Sequence, residues 1–243
     1  MLLEGWRGRP VPARRPPLNT RSLGGSFRHE PAAKETITSM IATPPYSLWA
    51  VAAVPLFYFA GLIAGGLAFP GFDHLAQLPS ELGAGRAPHP WIFNGAMALA
   101  GTAFLVGAVG LGRAVRALGG RTGPAAASGV LAVGSGAYLL AIAMFPLPDP
   151  RHYTVGPLAL SIHPLPFVLA GALWTRPDWR RPRAFLLAIG VLMLAVLAVN
   201  VGVLPQLAGA RPGLWPRLYA VAAFSWLAIV AVALYRRLPR ARH

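Results

Sequence analysis

Six long apolar runs joined by short connections leave this chain almost no way to fold in water. They cover Leu48–Pro70, Ile92–Leu111, Ala125–Phe145, Val155–Trp174, Ala184–Leu204 and Trp215–Tyr235. About 20 mostly apolar residues in a helix cross the hydrocarbon core of a bilayer. Within lipid every backbone polar group must be paired inside the protein, and an α-helix does this segment by segment. The expected fold is therefore all-α, a polytopic integral membrane bundle of six transmembrane helices over residues 45–236. Only 12% of the residues are charged, against about 25% in an ordinary soluble domain. The chain has no cysteine, which excludes disulfides, thiolate catalysis and Cys-ligated metals.

A net charge of +15 raises the question of nucleic acid. The basic residues, however, lie in short runs beside the apolar spans, as topology signals and contacts to anionic lipid do. Membrane lipids are the expected partners, and nucleic acid is not. Placing the N-terminus in the cytoplasm puts most of the arginines inside. They are Arg7, Arg9, Arg14, Arg15, Arg21 and Arg28 with Lys34, then Arg113, Arg116 and Arg121, then Arg176, Arg180, Arg181 and Arg183, then Arg236, Arg237, Arg240 and Arg242. Only Arg86, Arg151, Arg211 and Arg217 fall on the outer connections or their boundary. The positive-inside rule then gives an N-in/C-in topology. Trp91 and Trp215 mark outer ends and Trp174, Trp179 and Tyr235 inner ends; Trp226 lies inside the last span and reads as a packing residue.

Residues 1–40 are rich in Pro, Arg and Gly, without a sustained apolar period, and read as a disordered basic tail. No apolar signal-peptide core occurs within them. Translation from Met40 is the alternative reading. Residues 237–243 form a short basic cytoplasmic tail.

The acids and histidines are unevenly placed. Asp73, His74, Glu81 and His89 fall in the first outer connection, Asp149 and His152 in the second, and His163 about eight residues into the fourth span. Asn94 and Asn200 sit near the outer ends of spans two and five. Polar groups in hydrocarbon face the bundle interior and pair. This distribution predicts an outward-opening polar pocket lined by the two connections and the outer ends of spans two, four and five. The first connection carries Phe69, Phe72, Leu75, Leu78 and Leu82, too apolar for a solvated loop, and reads as a segment capping the bundle. In span four, Pro164 and Pro166 remove two amide donors and free the carbonyls of Leu160 and Ile162, which predicts a kink beside His163.

These residues carry a resemblance. Phe69-Pro-Gly-Phe-Asp-His, then Ser80-Glu-Leu-Gly-Ala-x-Arg-Ala-Pro88 and Phe93-Asn94, resemble the signature of the DUF998 family. So do Phe145-Pro146-x-x-Asp149-x-x-His152 and the later His163. The resemblance covers roughly residues 45–236, and Pro148 and Pro150 alter the family's spacing in the second connection. It implies a prokaryotic six-span protein of the cytoplasmic (inner) membrane. It also implies an outward face whose characteristic polar residues match Ser80, Glu81, Asn94, Asp149 and His163. A more distant similarity links the chain to six-span proteins of the Frag/DRAM/Sfk type, some of them connected with lipid remodelling.

The chemistry admits three classes. A lipid-acting enzyme would use Glu81, Asp149 and His163 as catalytic groups, with His74, His152, His163 and Asp149 as ligands for Zn²⁺, whose tetrahedral sites take such donors. No His-x-x-x-His or His-Glu-x-x-His run supports the metal, and no Gly-x-Ser-x-Gly elbow supports a Ser80 hydrolase. A binding or transport protein would hold a solute or lipid headgroup with Ser80, Asn94 and Asn200. A scaffold would pair through small-residue faces such as Gly61–Gly65 and Ala98, Ala100, Gly101, Gly129, Gly134 and Gly136, a route to a homo-oligomer. The structural alternative for the same residues is that Asp149 pairs with Arg151, Glu81 caps a short helix and His163 hydrogen-bonds a neighbouring helix.

Overall fold

A computed structural model describes residues 47–203 and 211–238. The N-terminal tail, Met40, Tyr46 and the C-terminal tail beyond Leu238 lie outside the described residues. The described helices are α1 (Leu48–Leu67), α2 (Pro90–Ala117), α3 (Thr122–Met144), α4 (Arg151–Thr154), α5 (Gly156–Ala159), α6 (Leu165–Ala172), α7 (Arg180–Asn200) and α8 (Leu214–Arg237). Short 3-10 turns occur at Pro79–Gly83, Leu160–Ile162 and Pro177–Trp179. Six helical stretches are long and apolar enough to cross a membrane, the fourth being the composite Arg151–Ala172. The protein is an all-α six-span membrane bundle.

Each span packs on its neighbour in sequence, and α8 closes the ring against α1. Small residues set the closeness of these seams. A Cβ on Gly61 would lie 2.2 Å from that of Ala96, and one on Gly107 would lie 2.4 Å from Val51 Cγ2. Gly101 and Gly136 face each other, each with the other's carbonyl oxygen 2.8 Å from where its Cβ would be. Gly61, Gly101, Gly134 and Gly136 are thus covered by contacts within the chain.

Span four is broken where prolines remove amide donors. Pro157, Pro164 and Pro166 divide it into α4, α5, the 3-10 turn and α6. Trp179, expected at an inner end, is fully buried, with the Arg237 guanidinium 5.0 Å from its ring centroid. Trp226 is buried, as a packing residue should be.

The segment between α1 and α2 folds over one end of the bundle as a cap. Leu82 is buried against Gly65. The Gly213 amide donates to Leu75 O at 2.8 Å, and the Gly85 amide to Leu147 O at 3.1 Å, so the cap is stitched both to the start of α8 and to the second connection.

Candidate functional site

The cap is built from its own polar side chains. Asp73 Oδ1 accepts the amides of Leu75 and Ala76, at 2.8 and 3.3 Å. Gln77 Oε1 accepts the Asp73 amide at 2.8 Å. Glu81 Oε1 accepts the Leu78 amide at 2.9 Å and closes the 3-10 turn, while its Oε2 pairs with Arg86. Burial works against the Glu81 charge, but the Leu78 amide, Gln77 and Arg86 outweigh it and hold the carboxyl below its ordinary range. Asn94 Nδ2 donates to Gly83 O at 3.0 Å and fastens the turn to α2. Gly83 is required by this approach, because a Cβ there would fall 2.1 Å from Asn94 Oδ1.

In the second connection Asp149 binds Arg151 through both carboxylate oxygens, the shortest contact being 2.6 Å. The arginine holds its carboxyl below the usual carboxylate range. The Arg151 guanidinium also lies 4.1 Å from the centroid of Phe145. His152 Nδ1 is 2.8 Å from Phe145 O; a carbonyl only accepts, so the proton resides on Nδ1.

His163 is the buried histidine of the bundle, 6% exposed. Its Nδ1 lies 3.2 Å from Leu160 O and its Nε2 lies 3.0 Å from the Tyr219 hydroxyl.

Beneath the cap lies a cavity of about 220 Å³. It is walled mostly by apolar groups, and Tyr58 (α1), Tyr138 (α3), Tyr219 (α8), Ser80 and His152 are among its lining residues. A smaller space of about 50 Å³ adjoins it, sharing Tyr138, Leu139, Tyr219 and Phe224 and reaching Ser135 and Ile162. The walls of the cavity beneath the cap come from α1, α2, α3, α4, α8 and the cap itself. Of the spans expected to line the pocket, the second and fourth contribute, through Phe93 and His152, beside walls from α1, α3 and α8 that were not expected.

The sequence-derived residues are dispersed. Ser80 and His152 line the cavity, whereas Glu81 belongs to a recess between the cap and the second connection, with Arg86, Leu147 and Tyr153. His163 touches the cavity only through Tyr219. Asn94 is a fastener, and Asn200 Nδ2 donates to Trp215 O at 3.1 Å, tying α7 to α8. His74 packs beside Gly66 and edge-on to Phe72, with ring centroids 5.0 Å apart. Among the described residues no three His, Asp or Glu side chains gather closely enough to hold a metal ion. Among the described residues His74, His152, His163 and Asp149 are not gathered into one such group.

Comparison with known proteins bears on the whole bundle. The model of the family described as "Protein of unknown function (DUF998)" matches residues 51–233. The chain belongs to the DUF998 family. No curated protein and no solved structure matches it. In this DUF998 protein the family match includes the cap, both connections and the cavity-lining tyrosines.

Three residues that bear on the cavity were not reached from sequence. Tyr58, Tyr138 and Tyr219 sit inside apolar runs, and a phenol in a span is a group that seeks a polar partner. Arg217 counts in the sequence only as a topology charge, although it falls inside an otherwise apolar run. Its Nη1 donates to Gln77 O at 2.8 Å and to Gly213 O at 2.6 Å.

Proposed function

We propose that this DUF998 protein binds the apolar portion of a lipid in the capped cavity, and that it does so at the outer face of the cytoplasmic membrane. The observation that carries the reading is the cavity itself: about 220 Å³, apolar-walled, with tyrosine side chains among its lining groups. Ligand sites combine mostly apolar walls with a few polar groups that fix orientation. The N-in/C-in placement draws on the positive-inside rule, since Arg113, Arg116, Arg121, Arg176, Arg180, Arg181 and Arg183 lie at the helix ends and connections opposite the cap.

Binding is favoured over catalysis by the state of the acids. Glu81 and Asp149 are each paired with an arginine and held below their ordinary ranges, the wrong direction for a general base or acid near neutrality. Ser80 has no base hydrogen-bonded to it among the described residues, so the arrangement lacks an activated nucleophile.

The test is to fill the cavity. Ala220→Phe places a ring among Tyr58, Phe224 and Pro216. Protein purified in mild detergent should carry co-purifying lipid by native mass spectrometry, and the variant should lose most of it while keeping its elution volume. Equal lipid in both proteins would overturn the reading.

A further inference from the structure

Arg217 presents an unsatisfied recognition edge. Nη1 is used by the Gln77 and Gly213 carbonyls. Nε and Nη2 are buried and have no hydrogen-bond partner. These two N–H groups point in parallel and make the side of the guanidinium that grips two oxygens of one oxyanion. No carboxylate forms an ion pair with Arg217 among the described residues. The acids in its electrostatic neighbourhood, Asp73 and Glu81, are committed elsewhere, to the Leu75 and Ala76 amides and to Arg86. The Phe72 ring covers the group, with its centroid 5.6 Å from Cζ.

A guanidinium whose Nε and Nη2 are shut from solvent without a counter-ion marks a place where one is expected. Arg217 lies three residues after the first residue of α8, on the order of 5 Å along the helix axis. That is the level of the cap and of lipid phosphates rather than of acyl chains. Pro216, Tyr219 and Ala220, on the same stretch of α8, line the cavity.

We propose that the Nε–Nη2 edge of Arg217 is a phosphate-binding seat, taking the phosphate of a membrane phospholipid or free phosphate once the Phe72 segment lifts. The proposal extends the cavity reading without depending on it, because the edge holds an oxyanion whether or not the cavity is filled.

The test compares probes that share tails or share phosphate. Lipid-depleted full-length protein in phosphate-free detergent is titrated with dihexanoyl phosphatidic acid, with dihexanoylglycerol and with inorganic phosphate, and binding is read by thermal shift and by native mass spectrometry. Phosphatidic acid should bind at least about tenfold more tightly than dihexanoylglycerol, a charge-assisted bidentate contact being worth at least that ratio. Arg217→Lys keeps the charge but loses the edge, and should erase this preference while leaving dihexanoylglycerol binding in place. Binding of inorganic phosphate alone would identify free phosphate as a sufficient source; its absence beside tight phosphatidic acid binding would identify the lipid. Equal affinity for phosphatidic acid and dihexanoylglycerol, with no response to inorganic phosphate, would overturn the seat and leave the cavity reading standing. No binding of any probe would overturn both. Should Arg217→Lys not fold, the wild-type comparison decides by itself.

Discussion

The Tyr219 hydroxyl donates to Nε2 of His163 across 3.0 Å, with the two rings stacked at a centroid distance of 5.5 Å. A proline sets the direction of this bond. Pro164 has no amide to give the Leu160 carbonyl, the partner it would have in an unbroken helix. His163 Nδ1 takes that carbonyl at 3.2 Å. The proton therefore sits on Nδ1, and Nε2 is left as the acceptor that Tyr219 satisfies.

Tyr219→Phe should leave Nε2 buried without a donor and destabilise the bundle by about 1–3 kcal/mol. His163→Phe leaves the Tyr219 hydroxyl without its acceptor, whereas the double variant removes both groups and should be less destabilised than the sum of the singles. Thermal unfolding of the four proteins in detergent measures the coupling. Strict additivity would mean that the pair contributes nothing.

Gly83→Ala should loosen the cap, since the new methyl would meet Asn94 Oδ1, at a cost of about 1–3 kcal/mol for an overpacked contact. Adding Asn94→Ala to Gly83→Ala should recover part of that loss by making room. Limited proteolysis within residues 68–89 reports the cap directly. Failure of the second change to slow cleavage would show that the clash is not the cause.

Gly61→Val should prevent closure of the α1–α2 seam, whereas Gly95→Ala should be tolerated, because nothing lies within 4 Å of a Cβ at Gly95. Elution profiles of fluorescently tagged variants separate the outcomes. Equal behaviour of the two would contradict the seam as described.

Acid should destabilise the protein in two steps. Burial, and then Arg217, push His74 below its ordinary value. The unfolded chain therefore takes up that proton first, and stability falls as pH drops from about 6.5 toward the lowered folded value. Asp73 is held low by the Leu75 and Ala76 amides, and Glu81 is also held low. Their contributions are fully present above the unfolded pKa values of about 4 and are lost as pH falls through the lowered folded values. Unfolding midpoints measured from pH 8 to pH 3 give the profile. His74→Gln should flatten the upper step and spare the lower one; an unchanged upper step would reassign it.

The spans were legible in sequence because a membrane helix is announced by length and apolarity alone. The cap was legible through Phe69, Phe72, Leu75, Leu78 and Leu82, and the break in span four through Pro164 and Pro166. Which face of each helix turns inward was not legible. A helix apolar all round gives no periodic signal separating lipid from core. Trp226 is buried on α8 while Trp49 on α1 is half-exposed, and nothing in their neighbours' polarity distinguishes them. Hence the conspicuous acids and histidines point to only part of the cavity, Ser80 and His152 being reached from sequence while Tyr58, Tyr138 and Tyr219 stay hidden in apolar runs. Glu81 and Asp149 drew attention as charges, yet each had an arginine within five residues of sequence to neutralise it.

The ring of spans has a consequence for biosynthesis. The helix that closes the ring on α1, α8, follows the other five described spans in the chain, and their contacts include Tyr58 with Phe224 at a centroid distance of 4.7 Å and Trp49 with Tyr235 at 5.0 Å. Until then the inward face of α1 stays solvated by lipid tails, and the α8 wall of the chamber does not exist. Closure of the ring therefore waits on α8, and Tyr58 meets Phe224 only when the ring shuts.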